Sequence, residues 1–415
     1  MPAQFMPAAR CAARLTTLSA TLLACSAQAQ RAEVLHWWTS AGESAAVNEL
    51  ASAYRQAGGI WVDSAVAGGD SARAAAISRI AGSSPPTAAQ FNLSQQYLDV
   101  IAEGLLNDVD SVAAQQQWAT RLPQPVIDSI RFGGHWYAVP LNLHNPIWFW
   151  SSKAALRQAG VKGEPRSFDE LFAALDKLKA AGLVPLAVGG QTWQEFITFY
   201  AVLLHEAGPP TYLAYFRDHD ARSVDSAPFR KALATFKRLR AYVDAGSPGR
   251  NWNDATAMLI SGKAGFQIMG DWAKGEFERA RLVAGKDYGC AIGFGPDAPY
   301  TIAGDVFVLP KSSDKAVLEA QRKLAATVTA PAVQLAFNRK KGSIPVRSDL
   351  DGSSLDACAQ AGLRAIKDAR RVVANPDMLM SPDQVGAVQD VVAAFWHGEQ
   401  SVADAAKALQ QALKR

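Results

Sequence analysis

Read from residue 31, the chain alternates short apolar runs with stretches of helical period. The run Val34 to Trp38 is apolar, β-branched or aromatic and reads as a buried strand. Thr39 to Gly42 make a turn, and a helix follows from Glu43 to about Ala57. Ile60 to Ala67 reads as a second strand, ending in Gly68-Gly69-Asp70-Ser71, with a helix from about Ala72 to Ile80. Pro85-Pro86 precede a short strand, Thr87 to Phe91. A helix from about Ser94 to Glu103 then closes at Gly104. Repeated strand–helix pairs of this kind open a doubly wound α/β lobe.

The pattern then changes. Gly133 to Pro140 reads as a hairpin and a strand running into Leu141 to His144, where a second lobe is expected to begin. Trp148, Phe149 and Trp150 continue it as a buried strand. Ser167 and Glu170 have capping-box spacing ahead of a helix whose apolar face is Phe168, Leu171, Leu175 and Leu178. Val184 to Val188 is another strand, ending in Gly189-Gly190-Gln191-Thr192-Trp193, and helices with a Gly-Pro loop at 208–210 run to about 243. A short helix, Ala255 to Ser261, precedes the strand Ala264 to Met269, which leads into Gly270-Asp271-Trp272. Asp305 heads a strand, Val306 to Leu309. A helix from Lys315 stops before Pro331, and Lys341 to Pro345 reads as extended or turn, with Lys341 as a surface charge. The last helix starts at Ser401. A chain of 415 residues is too long for one core and long enough for two lobes.

Composition changes this picture at the N-terminus and in one residue type. Arg10 and Arg14, the apolar stretch Leu15 to Ala24 and Ala27-Gln28-Ala29 form a signal peptide over 1–29, so export to the periplasm is expected. Leu22-Leu23-Ala24-Cys25 is a competing lipoprotein box that would leave Cys25 acylated. Removing the leader takes two of 42 basic residues and none of 38 acidic ones. There is no basic block, so nothing points to nucleic acid or an anionic surface. Beyond the leader no stretch reaches the roughly 18 apolar residues of a membrane span. Cys11 and Cys25 lie in the leader, and Cys290 and Cys358 are the two that could form one disulfide in an oxidising compartment, though the sequence says nothing of the distance between them. The six histidines include no H-x-x-x-H pair, so neither a metal site nor a cofactor is expected. The unusual residue is tryptophan, with 11 copies.

These tryptophans recur beside carboxylates or amides at strand ends. Trp37 and Trp38 precede Glu43, Gln191 precedes Trp193, Asn251 and Asn253 flank Trp252, and Asp271 precedes Trp272. A sugar needs that mixture: an indole for its C–H face, and carboxylates or amides for its hydroxyls. A plainer reading stands beside it. Ser40 and Glu43 have capping-box spacing, and alternation along the strand turns at least one of Trp37 and Trp38 into the core. Glu43 with Asp305 is a conceivable glycosidase pair, but there is no G-x-S-x-G elbow, P-loop or dinucleotide fingerprint.

The mature chain resembles the periplasmic solute-binding proteins of ABC sugar importers, in the glucose/mannose-type branch of the extracellular family 1 binders. The resemblance is carried in order by W-W-T-S-A-G-E at 37–43, A-G-G at 67–69, P-P-T-A-A-Q-F-N at 85–92 and W-Y-A-V-P-L-N-L-H at 136–144. It continues with P-L-A-V-G-G-Q-T-W at 185–193, W-N-D-A-T-A-M at 252–258, G-F-Q-I-M-G-D-W at 265–272, G-D-V-F-V-L-P-K at 304–311 and K-G-S-I-P-V-R at 341–347. It implies the periplasmic-binding-protein type II fold: two α/β lobes, a hinge and a ligand cleft between them. The N-terminal lobe would hold 30–140 plus 300–345, and the C-terminal lobe 141–299 plus 346–415. Trp38 and Trp272 would stack on the sugar, with Trp37 packing nearby. Glu43, Gln90, Asp305 and Lys341 would bond hydroxyls, with Asn92 beside them and Gly68 and Gly69 lining the wall. His144, Trp193 and Trp252 are further candidates. Implied partners are a sugar and the ABC permease, with the receptor a monomer that performs no chemistry. Some glucose binders carry Lys where this chain has Asn92, and a His in the stretch near 370–380, where this chain reads V-V-A-N-P-D. Sugar binding survives those departures, but glucose as the ligand does not follow, and a polyol or other non-sugar solute remains an alternative.

Overall fold

The computed structural model describes Met1, residues 30–82 and residues 84–415. Apart from Met1, the signal peptide, with Cys11 and Cys25, lies outside the described residues. The strands in chain order are β1 (Arg31–His36), β2 (Ile60–Ala65), β3 (Ala88–Asn92), β4 (Arg131–Phe132), β5 (His135–Trp136), β6 (Ala138–Pro140), β7 (Trp148–Ser152), β8 (Val184–Leu186), β9 (Ala264–Met269), β10 (Tyr288–Ala291), β11 (Tyr300–Ile302), β12 (Asp305–Val308) and β13 (Val372–Ala374). The first two helices are α1 (Ala41–Gln56) and α2 (Gly69–Ala81).

One sheet is five-stranded, in the order β2-β1-β3-β12-β6. Strand β1 runs parallel to both β2 and β3, as strand–helix–strand units require. Strand β12 enters from far along the chain and pairs antiparallel with β3 and β6. A second, four-stranded sheet has the order β10-β7-β9-β8. Strands β7 and β9 are buried at every position, polar Ser151, Ser152 and Gln267 included, as expected of strands covered on both faces. Two cores result: one holds Val34, Leu50, Phe91 and Phe307 and runs on to Trp148 and Trp150 of β7, and the other holds Leu175, Phe199, Phe236 and Phe266.

The chain passes between the sheets along three segments that lie side by side. Leu143 bridges Ile344, and His144 bridges Ala303, with His144 N–H donating to Ala303 O at 2.8 Å and Leu143 N–H to Ile344 O at 2.8 Å. Gly342 turns the third crossing with φ 92°, and a Cβ there would lie 2.2 Å from the Asp271 carbonyl oxygen. Only glycine meets both demands. This is the two-lobed, hinged α/β architecture that the resemblance implied.

Several local expectations change. The helix read over 94–103 shrinks to Leu98–Ala102, and 141–144 forms a crossing rather than a regular strand. Pro331 opens a helix, Pro331–Lys341, instead of only ending one; its missing N–H costs nothing in the first turn. Strand β11, expected in the N-terminal lobe, pairs in parallel with β13. Gly208 breaks the Thr192–Phe216 helix where the Gly-Pro loop was read. Cys290, in β10, is bonded to Cys358, in the helix Ala357–Ile366.

Candidate functional site

A cavity of about 680 Å³ opens between the two sheets. The strand ends and helix ends expected to carry chemistry converge on it. From the first sheet come Trp37, Trp38, Glu43, Gly68, Gly69, Asn92 and Asp305, and from the Pro331–Lys341 helix comes Lys341. From the second side come Trp193, Trp252 and Trp272, with His144 on the crossing segment. Gln90 is absent from the wall. It sits one pleat back from Asn92 on the same strand, fully buried. There its carboxamide accepts from Trp37 N–H at 3.0 Å and donates to Asp305 at 3.1 Å.

Glu43 combines the two roles that the sequence left open. Its backbone N–H donates to Ser40 Oγ at 3.2 Å, while Oε2 accepts from Ser40 N–H at 3.4 Å, a complete capping box. Its other oxygen, Oε1, accepts from Lys341 Nζ at 3.1 Å. The helix start therefore holds the carboxylate in one orientation at the cleft. Lys341, read as surface charge, is only 2% exposed. Its ammonium is paired with the Glu43 carboxylate. Beside Glu43, it lies 5.8 Å from the ring centres of both Trp38 and Trp272, the geometry of a cation–π contact.

Asp305, at the start of the interior strand β12, is the hub of the first sheet's cleft end. The antiparallel register sets it opposite Asn92. Its Oδ1 accepts from Gln90 at 3.1 Å and Asn92 at 3.3 Å, and its Oδ2 from Asn142 at 2.9 Å and His144 at 2.8 Å. A carboxylate offers about four lone-pair sites, so these donors saturate it. Asp305, expected to bond hydroxyls, acts here on its neighbours: it fixes Asn92, Asn142 and His144. His144 also bonds Asp271 through Nδ1, so its ring spans the base of the cleft between a carboxylate of β12 and one just beyond β9. Burial disfavours its charge, but the two carboxylates outweigh burial and raise it to about 9. Burial likewise opposes ionisation of Asp305, yet His144, with help from Lys341, holds it below the usual carboxylate range.

The aromatic groups divide unequally. Trp38 is 1% exposed and packs its ring against Phe337 and Phe307, at 5.4 and 5.9 Å between centres. Trp37 is the more exposed of the pair, with Gly69 against its ring. The resemblance implied the opposite emphasis. Beyond the end of β1, Phe307 and Phe337 cover the Trp38 ring, whereas Trp37 lies over Gly69, which has no side chain to cover it. Trp272 is partly exposed, with Trp193 6.3 Å away and the edge of His144 5.3 Å away. Sequence reasoning missed Asp70, Arg73, Phe196, Tyr200, Asn375 and Asp377, all of which line the same cavity. Only the Asn-Pro-Asp run pointed toward Asn375 and Asp377. Among the described residues no cluster of His, Cys, Asp or Glu is placed to hold a metal, and no helix is long and apolar enough to cross a membrane.

The family model of bacterial extracellular solute-binding proteins matches residues 38–335. A probable sugar-binding periplasmic protein of Brucella suis biovar 1 (strain 1330) is 39% identical over 397 residues, spanning 93% of this chain and 92% of that protein. One of the same description from Rhizobium meliloti (strain 1021) is 40% identical over 358 residues, spanning 85% and 86%. Two solved structures share the fold. The bacterial solute receptor AcbH has a TM-score of 0.78 at 20% identity, covering 92% of this chain and 98% of that one. Maltose-bound T. maritima MalE3 has a TM-score of 0.77 at 18% identity, covering 92% and 99%. The chain belongs to the bacterial extracellular solute-binding proteins.

Proposed function

We propose that the protein is the carbohydrate receptor of an ABC import system. It is exported to the periplasm, captures a monosaccharide or small oligosaccharide in the cleft, and delivers it to the membrane permease as a monomer. The observation that carries this reading is a cleft that combines fixed polar groups (Glu43, Asn92 and Lys341) with indoles from both sides (Trp37, Trp193, Trp252 and Trp272), the two kinds of surface a pyranose needs. In this reading Glu43, Asn92 and Lys341 meet hydroxyls, and Trp37 and Trp272 meet ring faces. Gly68 and Gly69 shape the wall, and Asp305 holds the polar wall in place. The lobes are 30–140 with 300–345 and 141–299 with 346–415, except that β11 travels with the second. The relatives named as probable sugar-binding periplasmic proteins support the ligand class.

The protein is a receptor and not an enzyme. Asp305 cannot serve as a glycosidase's acid, which must keep its proton near neutral pH, because it is held below the usual carboxylate range, and its oxygens are taken up by four donors within the protein. Binding works instead by a population shift. A sugar that touches both walls binds the closed form better, and so favours it by that difference in affinity.

Thermal melting against mono- and disaccharides, polyols and amino acids tests the reading. A ligand of the folded state adds RT ln(1 + [L]/Kd), about 2.7 kcal/mol at a hundredfold excess over Kd. A rise in Tm with a sugar is expected. A rise with polyols alone replaces the sugar with a non-sugar solute, and no rise with any sugar overturns the proposal.

A further inference from the structure

The first backbone N–H groups of α1 have no partner inside the helix. The capping box satisfies two of them: Ser40 N–H donates to Glu43, and Glu43 N–H to Ser40. A third is satisfied from the other lobe, where Gly42 N–H donates to Glu276 Oε1 at 2.9 Å. Glu276 lies on the helix Ala273–Arg279, which follows β9 and Trp272. Among the described residues its carboxylate has no ion pair, and this is its one side-chain hydrogen bond. The helix dipole favours a negative group at that end of α1.

Glycines bring the backbones of the two lobes together at this point. A Cβ on Gly42 would lie 2.7 Å from the Gly275 carbonyl carbon, and one on Gly275 would lie 2.8 Å from the Lys340 carbonyl oxygen. With Gly342 against Asp271, these contacts seat the Ala273–Arg279 helix on the first turn of α1 and on the last turn of the Pro331–Lys341 helix. Lys340 Nζ adds a bond to Glu278 Oε1 at 2.9 Å. Every side of this seat has a cleft residue next to it. Gly42 precedes Glu43, Gly342 follows Lys341, and Trp272 caps the Ala273–Arg279 helix. The Lys341 ammonium has one ring from each lobe at the same distance, Trp38 and Trp272. Glu276 itself does not line the cavity.

We propose that Glu276 is a positioning residue for binding: its bond to Gly42, made on the glycine seat, holds the lobes at the angle where Glu43, Lys341 and Trp272 face the sugar together. This rests on the carbohydrate-receptor reading. An interaction made better at one angle than at others shifts the population toward that angle by the difference in free energy. A hydrogen bond to a charged group is worth about tenfold in an equilibrium. Without Glu276, Gly42 N–H loses its acceptor. Glu43 keeps Ser40 and Lys341, but the second lobe, which carries Trp272, is no longer tied to the start of α1.

Small-angle X-ray scattering of the ligand-free exported protein, with isothermal titration of D-glucose, D-mannose, D-galactose and maltose, tests this. Glu276→Ala is expected to change the ligand-free radius of gyration and to weaken binding by about tenfold for whichever of these sugars the unmodified protein takes. Saturating sugar should return the unmodified protein's dimensions. Glu276→Gln keeps an oxygen for Gly42 N–H and should stay within about threefold of the unmodified protein. Gly42→Ala, which forces a methyl group against Gly275, should act as Glu276→Ala does; if it fails to fold, the Glu276 variants decide. Unchanged ligand-free scattering in Glu276→Ala overturns the proposal even if affinity falls, because Glu276 is then only a local brace of α1. A changed radius with full affinity overturns it as well. If no sugar binds the unmodified protein, the carbohydrate reading fails, and the ligand-free scattering alone decides whether Glu276 sets the angle.

Discussion

Glu43, Asn92, Asp305 and Lys341 reach the cleft from the first sheet and the helices packed on it, whereas Trp193, Trp252 and Trp272 reach it from the second. The first group is tied down: each side chain has a partner within the protein, and Asp305 has four. The second group makes ring contacts, and Trp272 remains partly exposed. The difference teaches how a hinged receptor holds its affinity. Polar groups are oriented before the ligand arrives, so little is lost in ordering them. Rings bring contact area at low entropic cost. Breaking either wall should therefore give a different signature.

The largest effect is expected on the polar side. Asp305→Ala would leave His144 charged beside Asp271 alone, and Gln90, Asn92 and Asn142 without their acceptor. Removing one partner of a buried charged network costs about 3–5 kcal/mol. Urea unfolding should show that loss even without ligand. A change below about 1 kcal/mol would mean that the network does not act as a unit.

His144 gives the same wall a pH signature. Its imidazole is raised to about 9 from an ordinary 6.5, because Asp271 and Asp305 face its two nitrogens. The folded state therefore holds the proton more tightly than the unfolded one. The stabilisation is complete below about pH 6.5 and is lost as pH rises through about 9. It amounts to a few kcal/mol at most, since each tenfold gain in proton affinity is worth about 1.4 kcal/mol. Denaturant midpoints should fall between about pH 6.5 and 9.5, and His144→Gln should flatten that dependence. An unchanged slope in the variant would assign it to other groups.

What the sequence made legible follows the same division. The β1–turn–α1 unit was readable because strand periodicity, Ser40 and Glu43 are local signals. The tryptophans at strand ends were readable for the same reason. Lys341 was not. In Arg339-Lys340-Lys341 it looks like any solvated helix end, and its burial depends on Glu43 and two rings that are distant in sequence. The saturation of Asp305 was equally hidden, since it requires the register that sets β12 against β3 and brings in the crossing segment. Asn375 and Asp377 gave no periodic or motif signal; only the resemblance singled out their stretch, as the place where some glucose binders carry a His. Pro331 misled because a proline that ends one helix is also suited to begin the next.

The aromatic wall should respond in binding more than in stability. Trp272→Ala removes a ring from the cleft and one of the two rings about Lys341. A hundredfold loss of sugar affinity is expected, about 2.7 kcal/mol, with a cooperative melt retained. Titration calorimetry on the sugar found by melting measures it. If affinity persists within about threefold while Trp37→Ala abolishes it, recognition lies with the first sheet's own indole and the division between the walls fails.

The smallest effect separates the two roles of Glu43. Ser40→Ala removes the hydroxyl that caps α1 but leaves Glu43 tied to Lys341 at 3.1 Å. Losing a Ser cap costs about 1 kcal/mol, and that should appear in urea unfolding. Affinity should change by less than about threefold, because Lys341 still orients the carboxylate. Glu43→Gln makes the converse change. It keeps the box, since a glutamine oxygen accepts from Ser40 N–H as a glutamate does, but it removes the charge opposite Lys341. Affinity should then fall further than with Ser40→Ala. If Ser40→Ala weakens binding as much as Glu43→Gln, the helix start and not the ion pair sets the carboxylate's position.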